Sequence, residues 1–159
     1  MIYVASSWRN LYQPQVVQKL RADGHEVYDF RNPATAIGDT LTEGSLSEKG
    51  RGQGTAFDWA QIEPEWQQWD ADRFIAALDH PRAQAGFKSD FDALKECEIC
   101  VLVLPCNRSS HLELGYAVGK NKITIVLMLG ENEPELMYLM VSGIVTTIDE
   151  LRSWLKVYV

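Results

Sequence analysis

The sequence predicts an α/β fold, a doubly wound, mostly parallel five-stranded sheet that carries a Trp-rich helical insertion. Three observations carry this prediction. Residues 99–104 (ICVLVL) and 123–129 (ITIVLML) are continuous apolar runs, as central parallel strands covered on both faces must be. A third apolar run, residues 1–5, opens the chain and stops at the polar pair Ser6-Ser7. Segments of helical periodicity separate the runs, and strand–helix–strand units imply parallel pairing through right-handed crossovers.

The elements follow in order. Residues 1–5 read as a buried strand followed by a polar turn. Residues 14–22 (PQVVQKLRA) read as a helix, with Pro14 in its first turn, Val16, Val17 and Leu20 at helical spacing, and Gly24 as the stop. Residues 25–30 supply a second strand. Residues 31–55, with Asn32-Pro33 and repeated glycines, read as a long functional or disordered loop. Gly50-x-Gly52-x-Gly54 lacks the preceding strand that a dinucleotide fingerprint needs. Residues 56–80 contain Phe57, Trp59, Trp66, Trp69 and Phe74, and a helix is expected over 64–78. That helix would place Trp66 and Trp69 on one face, packing the insertion onto the body, with a base-stacking lid as the alternative. Helices are then expected at 89–98 and 110–119, around the 99–104 strand. After the 123–129 strand come a short helix at 134–140, an edge strand at 143–145 and a closing helix at 147–155. Thr147 and Glu150 fit a capping box at its start. No repeat or linker interrupts the chain, so residues 1–159 read as one Rossmann- or flavodoxin-like domain with an insertion over about 31–88.

Composition narrows the function. A formal net charge of −7 argues against binding a nucleic-acid backbone, which favours a basic face. A small anion stays compatible with it, because a helix N-terminus binds phosphate without net positive charge. No run approaches the ~18 apolar residues of a membrane span, and residues 1–10 lack the basic start and apolar stretch of a signal peptide. Cys97, Cys100 and Cys106 read as reduced, small packing residues of a cytoplasmic protein. Cys97-x-x-Cys100 has no second cysteine pair and no nearby histidine pair, so neither a metal nor a cofactor is expected.

In doubly wound sheets ligands bind at the carboxyl ends of the strands, where strand order reverses. Three loops qualify: residues 6–10, 29–32 and 105–111. The first holds Ser6, Ser7, Arg9 and Asn10, and the last holds Asn107, Arg108, Ser109, Ser110 and His111. Glu113 follows, in the first turn of the helix expected from residue 110. There it is either a complement to the helix dipole or a carboxylate nucleophile beside a sugar's anomeric carbon. Glycosyl chemistry commonly needs a second carboxyl group to move protons. Asp90 and Asp92 are the candidates, with helix capping as their other reading.

The pattern IYVASSW, an aspartate ahead of the central strand, and VLVLPCNRSSHLELGYAVGKNK resembles the nucleoside 2-deoxyribosyltransferase family and its relatives, the deoxynucleoside 5′-monophosphate N-glycosidases. The likeness covers residues 1–30 and 88–150. It implies that Glu113 attacks the anomeric carbon and forms a covalent glycosyl intermediate, that Tyr3 orients Glu113, and that Asp90 contacts the base and assists its protonation, with Asp92 as the alternative. It implies that Ser7, Ser109 and Ser110 hold a 5′-phosphate, with Arg9 or Arg108 suited to join them. His111 is either an assistant or a supporting residue. Six residues before the nucleophile the transferases carry an aspartate and the monophosphate hydrolases a serine; this chain has Asn107. The departure favours hydrolysis of a nucleoside 5′-monophosphate over transfer of the sugar between bases. An NAD-type glycohydrolase and a non-catalytic nucleotide-binding module are the further alternatives. The resemblance also implies a homodimer or higher homo-oligomer.

Overall fold

The computed structural model describes residues 1–33 and 56–158. Five strands form one sheet: β1 (Ile2–Ala5), β2 (Val27–Asp29), β3 (Ile99–Leu104), β4 (Ile123–Met128) and β5 (Gly143–Val145). Their order is β2-β1-β3-β4-β5, and every adjacent pair is parallel. This is the doubly wound order whose reversal lies between β1 and β3. The helices are α1 (Gln13–Ala22), α2 (Ala71–Leu78), α3 (Pro81–Glu96), α4 (Arg108–Gly119) and α5 (Ile148–Leu155), with short 3-10 turns at Trp59–Gln61, Trp66–Gln68 and Leu136–Met140. No helix among the described residues is long and apolar enough to cross a membrane.

The pleat divides the core in two, because successive side chains of a strand point to opposite faces. Ile2, Val4, Val101, Val103, Ile125 and Leu127 pack against Val16, Val17 and Leu20 of α1 and Leu151 and Leu155 of α5. Tyr3, Ala5, Cys100, Leu102 and Val126 face the other way, against Ala93 and Leu94 of α3 and Leu114 and Ala117 of α4. The candidate chemistry therefore falls on the α3–α4 side.

The insertion departs from the expected helix over 64–78. Trp69 is extended (φ −63°, ψ 136°), and Asp70 caps a new helix by accepting the Arg73 N–H at 2.8 Å. A good N-cap outcompetes continuation of the preceding turn. Trp66 and Trp69 consequently do not share a helical face. Trp59 instead meets Phe57, Trp69 and Phe74 edge-on, and Glu63 accepts from Trp69 Nε1 at 2.8 Å and Arg73 Nη2 at 3.0 Å. The cluster is tied to the body through Trp8 Nε1, which donates to the Phe57 carbonyl at 3.1 Å, and Arg82 Nη1, which donates to the Gln61 carbonyl at 2.9 Å. The Gly50-x-Gly52-x-Gly54 run lies outside the described residues.

Helix α3 starts eight residues earlier than expected, at Pro81, with His80 Nδ1 accepting the Arg82 N–H at 3.1 Å. Asp90 and Asp92 therefore lie within the helix, so neither is a cap. Thr147 caps α5 by accepting the Glu150 N–H at 3.1 Å, while Glu150 reaches back one residue further than a capping box requires, to the Thr146 N–H at 2.7 Å.

Candidate functional site

The loops after β1 and β3 are locked together. Ser6 Oγ donates to the Val103 carbonyl at 2.8 Å, and Asn10 Nδ2 donates to the carbonyls of Val103 at 3.2 Å and Pro105 at 2.8 Å. Asn10 Oδ1 accepts from the N–H groups of Tyr12 and Gln13, starting α1 at the same point. Ser7 Oγ accepts from Asn107 Nδ2 at 3.1 Å and from the Arg9 N–H at 3.2 Å. The Asn107 side chain is turned to Ser7 and leaves α4 without a side-chain cap.

Of the other expected phosphate ligands, Ser110 is buried and donates to the Ser6 carbonyl at 2.7 Å, so its hydroxyl proton is committed to holding the loops. Ser109, Arg9 and Arg108 are exposed at the rim. His111 is held at both nitrogens, Nδ1 by the Asn107 carbonyl at 3.1 Å and Nε2 by the Tyr138 hydroxyl at 2.8 Å, with its ring stacked on Tyr138. That arrangement makes it a support for the loop.

Helix α4 begins at Arg108 with Asn107 as N-cap, which puts Glu113 in the second turn. The dipole effect fades beyond the first turn, so complementing the helix terminus does not account for this carboxyl. Glu113 faces the sheet beside Tyr3. The Tyr3 hydroxyl is buried and completes no hydrogen bond; of the charged groups Glu113 acts on it most strongly, then Asp90. Burial chiefly, and the charge of Asp90 next, push the Glu113 carboxyl up to about 8, while the Tyr3 hydroxyl opposes the rise. Burial likewise pushes Asp90 up to about 6, opposed by Tyr28. Two nearby carboxyls that avoid being charged together hold one proton between them around neutral pH.

Asp92, the alternative to Asp90, is not part of this group. It sits on the outer face of α3 between Lys88 and Lys95, paired with both. Cys100 is buried in β3 beneath the site, Cys97 is buried at the end of α3, and burial raises both thiols. Among the described residues no group of three or more histidine, cysteine or acidic side chains is placed to hold a metal ion.

Two residues of the site escaped the sequence reading. Tyr28 is the register partner of Tyr3 across β1 and β2, and the rings stack with centroids 5.2 Å apart. Its hydroxyl donates to Asp90 Oδ1 at 2.8 Å and lies 2.9 Å from Ser89 Oγ. Arg31 lies in the 29–32 loop that the strand-end argument had marked. Its Nη2 donates to the carbonyls of Ser7, Trp8 and Asn10 at 2.9, 3.0 and 2.7 Å, and the guanidinium stands near the rings of Trp8 and Phe30. Arg31 thus gathers the carbonyls of the β1 loop to one side.

A groove of about 630 Å³ lies elsewhere, between β5 and α5, lined by Ile144, Val145, Trp154 and Val157 among others. It shares no residue with the Tyr3–Glu113 cluster, and it carries none of the paired carboxyl chemistry. No protein-family model matches the chain, and no curated protein is significantly similar to it.

Proposed function

We propose that the chain is an N-glycosidase that cleaves the base–sugar bond of a nucleoside 5′-monophosphate through a covalent glycosyl-Glu113 intermediate. One observation carries the reading. Two half-buried carboxyls, Glu113 and Asp90, both pushed up by burial and Glu113 further by the charge of Asp90, stand at the β1/β3 switch point, each beside a tyrosine. Glycoside cleavage by double displacement needs such a pair, one carboxylate as nucleophile and one carboxylic acid as proton donor.

In the first step a Glu113 carboxylate oxygen bonds to the anomeric carbon. The C–N bonding electrons pass to the base nitrogen as Asp90 gives its proton to the base. In the second step water attacks the same carbon and yields a proton to Asp90, and Glu113 leaves as a carboxylate. Tyr3, whose buried hydroxyl has no other partner among the described residues, is placed to donate to Glu113 when that carboxylate is charged, at both ends of the cycle. Ser7, Ser109 and the α4 N-terminus line a place for the phosphate, with Arg9 and Arg108 exposed at its edge. Three free cysteines fit a reducing, cytoplasmic setting.

The homo-oligomer that the resemblance implies has support on α4. Gly115 and Gly119 are exposed one turn apart, with nothing within 4 Å of where a Cβ would be, beside Leu112 at 77% exposure. Gly119 ends the helix, but Gly115 is interior, where glycine costs about 1 kcal/mol against alanine, and a second copy packed on this face would offset that cost.

The test is incubation with nucleosides, deoxynucleosides, their 5′-monophosphates and NAD, following free base by chromatography. Base released from a monophosphate by wild type, and not by Glu113→Ala, is expected. Release from nothing in the panel, with or without an acceptor base, would overturn the reading and leave a binding module.

A further inference from the structure

The acid step needs more than a carboxyl near the base. The group must present its proton on the oxygen that faces the base, and it must tolerate the negative charge left when the proton departs. Asp90 is half-buried on α3, where partial burial by itself disfavours that charge. Its Oδ1 accepts from Tyr28, and Oδ2 has no hydrogen-bond partner among the described residues. Tyr28 is itself fixed twice, by its 2.9 Å contact with Ser89 Oγ and by its stack on Tyr3. The groups facing Asp90 are then Tyr28 from β2, Tyr3 from β1 and Glu113 from α4. Of these, Tyr28 is the one whose hydroxyl hydrogen-bonds Asp90.

We propose that Tyr28 is a positioning residue of the acid step: it holds Asp90 by Oδ1, keeps the proton on Oδ2 and stabilises the carboxylate that remains after proton donation. The inference rests on the N-glycosidase reading for its role in turnover, and on the Tyr28–Asp90 geometry alone for its effect on Asp90. A hydrogen bond that strengthens as charge develops contributes to the rate and not to ground-state binding. Its loss is felt most where the base cannot leave unprotonated.

Tyr28→Phe removes the hydroxyl and keeps the ring on Tyr3. The variant and wild type are compared on two substrates that differ in how readily the base departs without a proton. For a purine these are the nucleoside monophosphate and its N7-methylated form; for a pyrimidine, the unsubstituted and 5-fluoro forms. On the ordinary substrate kcat is expected to fall about ten- to a hundredfold with KM nearly unchanged. On the activated substrate the fall is expected to be within about threefold. Equal losses on both substrates, or no loss on either, would overturn the proposal. The Asp90 titration is followed separately, by carboxyl carbon NMR of the free protein. Its pKa is expected to rise in Tyr28→Phe, and an unchanged titration overturns the inference. This second readout needs no turnover, so a wild type that releases no base refutes the N-glycosidase reading while the Tyr28–Asp90 coupling is still decided.

Discussion

Replacing Glu113 by glutamine should stabilise the protein at alkaline pH and change little in acid. Burial chiefly, and Asp90 next, raise the carboxyl from the 4.5 of an exposed glutamate to about 8. A carboxyl raised on folding binds its proton more tightly in the native chain. Its contribution is complete below the unfolded value, declines as pH rises between the two values, and is lost above about 8. The gap between the two values sets a ceiling of ~5 kcal/mol on the loss. Glu113 is only partly buried, and water penetration and relaxation lower the penalty, so a gain of ~2 kcal/mol is expected for Glu113→Gln. For a chain of this length that corresponds to roughly 4–8 °C in Tm. The assay is thermal unfolding of both proteins at about pH 4 and about pH 9, with the difference between them as the readout. Glutamine keeps the shape and removes only the charge. A variant no more stable than wild type at the higher pH, or a difference that is the same at both, would refute the placement of Glu113 in a desolvated site shared with Asp90.

Two further substitutions probe the surroundings. Asp90→Asn should lower base release at least about a hundredfold, as loss of a general acid does, whereas Asp92→Asn, which only parts exposed pairs with Lys88 and Lys95, should stay within about twofold; the reverse ranking in initial rates would mean that the two aspartates are assigned the wrong way round. Gly86→Ala places a Cβ in collision with the Cβ of Phe57, which should unseat the aromatic cluster at a cost of about 1–3 kcal/mol and shift tryptophan emission to the red, and an unchanged spectrum with unchanged stability would show that the insertion does not need this seat.

The sheet was legible because its central strands are buried on both faces. The unbroken runs of β3 and β4 have no helical alternative at that length, and the helices between strands force them parallel. The insertion was not legible in the same way. Trp66 and Trp69 are spaced like a helical face, but Asp70 caps a new helix, and a cap is a local competition that periodicity does not register. The start of α3 was missed at His80-Pro81, although proline in a first turn is a helix signal. The start of α4 was placed two residues late, and that small error put Glu113 in the wrong turn and gave it a dipole role it does not have. Glu113 was marked by its place after the switch-point loop and Asp90, together with Asp92, as the second carboxyl; the resemblance put Asp90 ahead of Asp92 and added Tyr3, and the fold brings those three together. Tyr28 was invisible because its role depends on register. Only the pairing of Tyr3 with Tyr28 puts a second hydroxyl beside the first, and no single strand encodes that pairing. Arg31 lay in a loop the topology had marked, yet its targets are backbone carbonyls, which leave no trace in side-chain patterns.

The stacked tyrosines also bear on where the shared proton sits. Glu113 titrates above Asp90, so in the protein alone the shared proton favours Glu113. Under the proposed reading the productive arrangement is the reverse, with Asp90 protonated and Glu113 charged. Part of the rise at Glu113 comes from Asp90 itself, so the productive form is disfavoured by at most about a hundredfold. A substrate supplies what moves the proton. A base nitrogen docked against Asp90 accepts from the protonated acid, and the positive charge developing on the sugar favours an ionised Glu113. Both influences are strongest in the transition state, where differential stabilisation accelerates a reaction. Each tyrosine favours charge on its own partner, Tyr3 on Glu113 before the displacement and Tyr28 on Asp90 after it. On the proposed reading, two adjacent strands paired in register at Tyr3 and Tyr28 put one hydroxyl beside each of the two carboxyls that exchange the proton.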